Sequence, residues 1–482
     1  MQIVDVEAPR HQTSRWVSGW RLALVFTLLA VATHLPSLVR TEALNPDEAF
    51  LATQAQVLND GGRLYQDVVD RKPPIVPYLY AAASRLTGSD ALLSVRLLAI
   101  GAYVVSALLV AAIARRRWGD HAAVAAGVLY LVATGGLVLE DSQPANFEVF
   151  MMPLMCAAMY FGDRERTSAS GVLAALATLA KQTAAATLLP LAWRSWQRER
   201  LSGLIRLGVA FVVPIAIAAV AFGWHDFMFW VFTGNGGYLD ANGSWGVAAN
   251  RGLASTGIFL GANVAAFLLV IAAARRWRED IDLWLWLISA FVAVAAGFRF
   301  FGHYYLQLGP PFALLAAGSL VRATRAVWVR TAALAGASVV VFVTLGLTAH
   351  PILLHRYDHI ADAIDARTKP TDKIFVWGQF PQAYWASDRR PATRFLTAGF
   401  LTGLTGGRSG DRVGVQYAVP GAWDEFRSDL AAHPPVLIVD TSLGSPASIA
   451  HFPEFDSYVR DNYTPVEIVD GAVLYARRDA HP

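Results

Sequence analysis

Nine runs of mostly apolar residues dominate the chain, near 18–38, 92–113, 121–139, 144–162, 202–223, 252–273, 281–298, 302–321 and 331–349. At roughly 20 residues apiece they are long enough to cross the hydrocarbon core of a bilayer as helices. Backbone inside a bilayer must satisfy its own hydrogen bonds, so these runs predict a polytopic helical membrane protein. Composition agrees, with 55% hydrophobic and 16% charged residues, against roughly 25% charged in soluble domains. The single cysteine, Cys156, sits in an apolar run and leaves no intramolecular disulfide or multi-thiolate metal site. A net charge of +3, spread along the chain, excludes a nucleic-acid partner. Ala30-Val31-Ala32 mimics a signal-cleavage site, but the apolar stretch continues past it, and an uncleaved first helix is expected.

Arginines set the expected orientation. They cluster at Arg115, Arg116 and Arg117, at Arg164 and Arg166, at Arg194, Arg198, Arg200 and Arg206, at Arg275, Arg276 and Arg278, and at Arg322, Arg325 and Arg330. The positive-inside rule places these connections in the cytoplasm. Connections 39–91, 140–143, 224–251 and 299–303 then lie outside, as does everything after the last run. Residues 168–192 fall between two Arg-rich segments that should share a side, which predicts a short re-entrant hairpin with legs 169–180 and 182–192. Each leg would rise about 16 to 18 Å, leaving Lys181 near mid-membrane. The expected molecule is mainly α, with about eleven membrane helices in residues 1–350 and its N-terminus cytoplasmic, multi-pass in the plasma membrane. Residues 357–482 read as a small extracytoplasmic α/β domain, with buried strands at 373–378 and 436–440 and a helix at 424–433. No phosphate-binding glycine loop is found.

The first outer loop carries the most chemistry. Asn45-Pro46-Asp47-Glu48 has the order of a helix cap, so Asp47 and Glu48 either only start a helix running to Leu58 or point a carboxylate into an outward cavity. At a helix N-terminus a carboxylate stays ionised, as a general base must be. Arg71-Lys72-Pro73-Pro74 begins a second short helix, and its cation pair suits either a phosphate at the membrane surface or an interfacial anchor. Lys181, one of only four lysines, is a site candidate because a charge at membrane depth costs roughly 2.5 to 3.5 kcal/mol; snorkelling is the plainer alternative. Asp141 and Glu148 form a second outer acidic cluster, which either faces the same cavity or, with Asn146, caps the next helix. Arg299 and His303, four apart, would share a helix face and grip a phosphate, or belong to an aromatic belt. The aromatic loop from Trp224 to Trp245 reads as a lid or as an interfacial belt. His355 and His359 lack a third placed ligand and read as a connector.

An acidic pair after the first span, a Lys-Pro-Pro helix start in the same loop, a midway hairpin and an outer C-terminal domain together resemble the GT-C polytopic glycosyltransferases of the protein mannosyltransferase and aminoarabinose transferase group. The likeness covers most of residues 20–350, carried by Asp47-Glu48 and Lys72-Pro73-Pro74 and supported by His303-Tyr304-Tyr305-Leu306-Gln307. The resemblance implies Asp47, with Glu48 beside it, as the catalytic acidic pair, Lys72 as a contact to a donor phosphate, and Asp141 or Glu148 as the second acidic motif. It further implies inverting transfer of a hexosyl or pentosyl group from a polyprenyl-phosphate donor to an acceptor hydroxyl outside the membrane. Arg71, Lys72, Lys181, Arg299 and His303 would stabilise the departing phosphate. The implied acceptor is a glycan, glycolipid or protein, and membrane lipids surround the rest. Some members use a divalent ion, which leaves Asp47 open as a metal ligand. The competing class is a lipid or sugar transporter that performs no covalent chemistry.

Overall fold

The structure, a computed structural model, describes residues 19–41, 43–87, 91–135, 143–235, 243–348, 354–406, 408, 410 and 412–479. Its principal helices up to residue 221 are α1 (Gly19–Thr33), α2 (Pro46–Asn59), α3 (Ile75–Thr87), α4 (Ala91–Trp118), α5 (Asp120–Gly135), α6 (Phe147–Asp163), α7 (Thr167–Ala180) and α8 (Leu188–Ala221). They continue with α9 (Trp224–Val231), α10 (Trp245–Ala262), α11 (Val264–Ala273), α12 (Ile281–Ala295), α13 (Gly309–Leu320) and α14 (Arg325–Thr348). Among the described residues, three helical stretches are long and apolar enough to cross a membrane unaided: α4, Gln182–Ala221 and α14. A fourth, Trp245–Ala262 with Val264–Ala295, qualifies only as a span bent by 90°. That bend replaces the straight crossing expected at 252–273. Asn263 sits at the break, and its side chain and backbone N–H both donate to the Phe259 carbonyl, at 2.9 and 3.1 Å. α1, α5 and α7 are apolar but shorter.

The midway hairpin is sharply built. α7 ends at Lys181, which is extended (φ −156°, ψ 132°), and a 3₁₀ turn over Gln182–Thr187 leads into α8. At Arg200 the backbone leaves helical geometry (φ 55°, ψ −137°). Gly203 then returns so close that a Cβ there would lie 2.7 Å from the Glu199 Cβ and 2.8 Å from the Ser195 carbonyl oxygen. Small residues let the legs approach: a Cβ on Gly171 would stand 2.7 Å from both the Ala210 Cβ and the Leu207 oxygen.

Several of the Arg-rich connections meet at one end of the bundle. Arg117 binds Asp282 at 2.5 Å and Asp163 at 3.2 Å, Arg194 binds the same two carboxylates at 2.6 and 2.9 Å, and Arg322 reaches Glu279 at 3.1 Å. Carboxylates shared between arginines from separate connections fix the helix ends against one another.

The C-terminal region starts with α15 (Leu354–Asp365) and builds a mixed five-stranded sheet in the order β2-β1-β3-β5-β4. Its strands are β1 (Lys373–Trp377), β2 (Arg390–Pro391), β3 (Leu437–Asp440), β4 (Tyr463–Val469) and β5 (Ala472–Arg477). β1 is parallel to β2 and β3, whereas β5 runs antiparallel to β3 and β4. Helices α16 (Ala422–Ala432) and α17 (Pro453–Asn462) cover it, packing Phe426 and Phe455 on Phe375 and Trp377. The β4–β5 hairpin turns on Asp470-Gly471, both at positive φ, the chemistry of a two-residue hairpin turn.

This region is clamped to the first loop and to the segment after α12. Val69 donates its backbone N–H to the Arg394 carbonyl at 3.1 Å. Gln56 reaches Asp388 at 2.9 Å, Arg390 pairs with Asp60, and Arg408 donates to the Gly297 carbonyl at 2.6 Å.

Candidate functional site

A cavity of about 340 Å³ lies between the clamped parts. Asn45 to Asp47 and Asp70 to Lys72 line it, with Phe147, Phe301 and His303 and, from the sheet region, residues such as Gln379, Phe400 and Thr405. Local chemistry places Asp47. Pro46 opens α2 with its φ preset, and the Asn45 side chain accepts the Asp47 backbone N–H at 2.8 Å. The cap and the cavity-facing carboxylate are therefore the same structure, and the two sequence readings do not exclude each other.

Asp47 is half-exposed, and its Oδ2 stands 3.9 Å from Nε2 of His303. The same nitrogen is 3.9 Å from Oε1 of Glu148. Glu148 is buried and paired with the buried Lys181, whose ammonium also sits 4.0 Å over the Tyr304 ring. A row of ionisable side chains thus runs from the cavity inward through Asp47, His303, Glu148 and Lys181, drawing on four separate stretches of sequence.

Arg71 lays its guanidinium 4.5 Å over the Phe400 ring. The Gln182 amide holds the backbone here, donating to the Arg71 carbonyl at 2.6 Å and the Val231 carbonyl at 3.0 Å. The Tyr65 hydroxyl donates to the Lys72 carbonyl at 2.8 Å. The hairpin tip thereby positions the loop that presents Arg71 and Lys72.

Four expected site residues do not line the cavity: Glu148 and Lys181 are buried and paired with each other, and Glu48 and Arg299 turn elsewhere. Glu48 does not line the cavity: it is fully buried, with its oxygens 3.1 and 2.8 Å from Arg96 Nε and Nη2 and a further 2.8 Å bond from the Ala145 N–H. Successive helical residues point about 100° apart, and here Asp47 lines the cavity while Glu48 turns to Arg96. Arg299 and His303 do not share a helix face, because Phe298 and Phe300 have positive φ and a 3₁₀ helix starts only at Gly302. Arg299 is buried and donates to the Gly406 carbonyl, buttressing the loop rather than lining the cavity. Asp141 lies outside the described residues, as do Gly236, Gly237, Tyr238 and Asn242 of the aromatic loop. From that loop Trp230 packs edge-on to Phe400 at 5.9 Å, which bears on the cavity wall. Among the described residues no group of three or more His, Cys, Asp or Glu side chains is arranged to hold a metal ion.

Glu48→Ala would leave the Arg96 guanidinium buried without its counter-charge. The expected cost is about 3 to 5 kcal/mol, read as a lowered unfolding temperature in detergent, with Glu48→Ala/Arg96→Met recovering most of the loss.

Asp70 was not singled out by sequence, although it immediately precedes the cation pair. Burial pushes its carboxyl up to about 6, partly opposed by Lys72 and the Arg71 backbone N–H and reinforced by Asp47. The unfolded chain releases this proton near the ordinary carboxylate value and the folded chain only near 6, so stability from this group falls as pH rises between them. Above about pH 6 the Asp70 carboxylate competes for Lys72. Binding of a phosphodiester, whose own charge is constant from pH 5 to 8, is therefore expected to tighten as pH falls through 6, and Asp70→Asn to flatten that dependence; affinity for a polyprenyl-phosphate sugar over that range checks it.

Residues 71–224 match the family model described as dolichyl-phosphate-mannose-protein mannosyltransferase, a segment that includes Arg71, Lys72, Glu148 and Lys181. The fold is similar to that of ArnT from Cupriavidus metallidurans bound to undecaprenyl phosphate, with TM-score 0.65 and 15% identity over 96% of this chain and 100% of that one. Apo ArnT gives TM-score 0.65 at 16% identity, covering 95% and 98%. The archaeal oligosaccharyltransferase AglB from Archaeoglobus fulgidus, in complex with an inhibitory peptide and a dolichol-phosphate, gives TM-score 0.51 at 11% identity, covering 97% and 75%. No curated protein matches by sequence.

Proposed function

We propose that this chain, which has the fold of the GT-C membrane glycosyltransferases, transfers a sugar from a polyprenyl-phosphate donor to an acceptor hydroxyl with inversion. One observation carries the reading: the Asp47 carboxylate and the Arg71 and Lys72 cations line the same cavity. The acceptor oxygen attacks the anomeric carbon as the bond to the phosphate oxygen breaks, and polyprenyl phosphate leaves with the bonding electrons. Asp47 orients the hydroxyl and takes its proton late, and Arg71 and Lys72 stabilise the charge that develops on the leaving group. A single displacement inverts the anomeric centre. His303 stands between the two carboxylates, its Nε2 3.9 Å from an oxygen of each. The Glu148–Lys181 pair anchors the inner end of the row. Glu48 and Arg299 support the frame.

The cavity belongs on the extracytoplasmic side of the plasma membrane, with the arginine-rich end inside; the charge asymmetry supports this orientation. The acceptor is a glycan, glycolipid or protein. The test is incubation of the full chain in nanodiscs with a panel of polyprenyl-phosphate hexoses and pentoses, with mass analysis of the products. A covalent glycosylated product is expected. Movement of intact donor across sealed vesicles without any product would favour a transporter instead.

A further inference from the structure

A second cavity, a groove of about 540 Å³ between α7 and α8, shares no lining residue with the first. The two helices leave the arginine-rich end side by side. Thr167, at the start of α7, donates its hydroxyl to Glu199 at 2.9 Å, and one turn further Gly171 meets Leu207 and Ala210. Both helices therefore climb in the same direction from that end. α8 lines the groove at Ser202, Ile205, Arg206, Val209, Val213 and Pro214, a spacing of three and four that presents one helix face. The lining changes along its length. Ser168, Ser202 and Arg206 lie at the end marked by the Thr167–Glu199 contact, and Val172, Val209 and Val213 lie further on.

This part of α8 belongs to a stretch, Gln182–Ala221, long and apolar enough to cross a membrane. From Ser202 to Pro214 it rises about 18 Å, close to the roughly 15 Å of one leaflet and well short of the roughly 30 Å that a spanning partner helix would follow. Positive charge exceeds negative charge at the polar end. Arg206 gives one nitrogen to Glu199 at 2.5 Å and its side chain is still 55% exposed. Arg166 and Arg200, each two residues before one of the serines, rest on the rings of Phe161 and Trp196 with no carboxylate partner among the described residues. Ser202 already donates to the Glu199 carbonyl at 2.6 Å, which leaves Ser168 and Arg206 as the donors for an anion. We propose that the groove binds one anionic glycerophospholipid from the leaflet at the arginine-rich end, its phosphate at Ser168 and Arg206 and one acyl chain along the valines. Basic pockets between membrane helices favour anionic head groups in this way. The lipid would brace the hairpin whose tip, through Gln182, holds the Arg71 backbone. The site stands or falls apart from the transfer reaction.

The experiment is photocrosslinking of the full chain in phosphatidylcholine nanodiscs, with adducts mapped by peptide mass analysis. Two probes, phosphatidylglycerol and phosphatidylcholine carrying the same mid-chain diazirine, are compared at equal minor fractions. Adducts on Val172, Val209 and Val213 are expected to be about tenfold more abundant with phosphatidylglycerol. Arg206→Gln should cut that excess about fivefold, the effect of one cation, and Arg206→Lys should keep it. Val209→Trp fills the groove from an exposed position and should abolish the adducts without loading the core. Equal labelling by the two probes overturns the proposal. Equal phosphatidylglycerol labelling of Val340 and Val341, exposed apolar residues of α14, also overturns it, because the groove would then hold only bulk lipid. Displacement of the probe by an equal fraction of undecaprenyl phosphate assigns the groove to the carrier lipid instead. Absence of groove adducts, as when a second copy of the chain covers the face, contradicts it as well.

Discussion

Asp47→Asn is expected to lower sugar transfer by about 10³-fold while binding of polyprenyl phosphate stays close to that of the unchanged protein. The size follows from removing a general base, which contributes on the order of 10² to 10⁴. The substitution keeps the side-chain shape, and the cap survives because Asn45 accepts the backbone N–H of residue 47 rather than its side chain. The phosphate cations sit on the next part of the same loop and do not depend on Asp47 for placement: Gln182 and Tyr65 hold that backbone. Initial rates with a saturating polyprenyl-phosphate sugar, alongside donor affinity, separate the two effects. Retained transfer would remove Asp47 as the base.

Breaking the Glu148–Lys181 pair is expected to destabilise the fold strongly, to the same extent as loss of Glu48 from its pair with Arg96. Both side chains are almost fully covered, and removing one partner of a buried pair costs about 3 to 5 kcal/mol, because the other charge is left without compensation. Glu148→Ala should therefore lower the unfolding temperature sharply, and Glu148→Met/Lys181→Met should recover most of it. Transfer should not return in the double variant, since His303 would have lost one of the two carboxylates near its Nε2. Recovery of both properties together would reduce the pair to a packing role.

The mainly helical, apolar architecture was legible because apolar runs of bilayer length have few alternative folds. Of the about eleven membrane helices expected, however, the described residues show three stretches, or four with the bent one, long and apolar enough to cross. The bend at Asn263 was not legible: one polar residue in an apolar run reads as tolerated within a straight span. In the C-terminal region, the short apolar strands β1 and β3 stand out by composition. Pro465 and Glu467 obscure β4, which was recoverable only from the Asp470-Gly471 turn.

At the site, Asp47 and Lys72 were readable from motif order, and the cavity brings both to its lining. Sequence spacing could not decide which of Asp47 and Glu48 faces inward, because that depends on Arg96 from a different helix. Nor could it show that Arg299 buttresses Gly406, more than 100 residues along the chain. Partners supplied by distant segments leave no local periodic signal. Gln182 was missed for the same reason: a neutral polar side chain carries no mark of its role until the backbone beside it is known.

Photocrosslinking is the direct measurement of the central claim that a lipid phosphate binds beside Asp47. A polyprenyl phosphate with a diazirine next to the phosphate would be activated on the full chain in nanodiscs, and adducts mapped by peptide mass analysis. The account predicts adducts on residues 45–50, 70–72 and 301–303, reduced by Lys72→Ala. Adducts confined to the arginine-rich end around Arg117, Arg194 and Asp282 would contradict it.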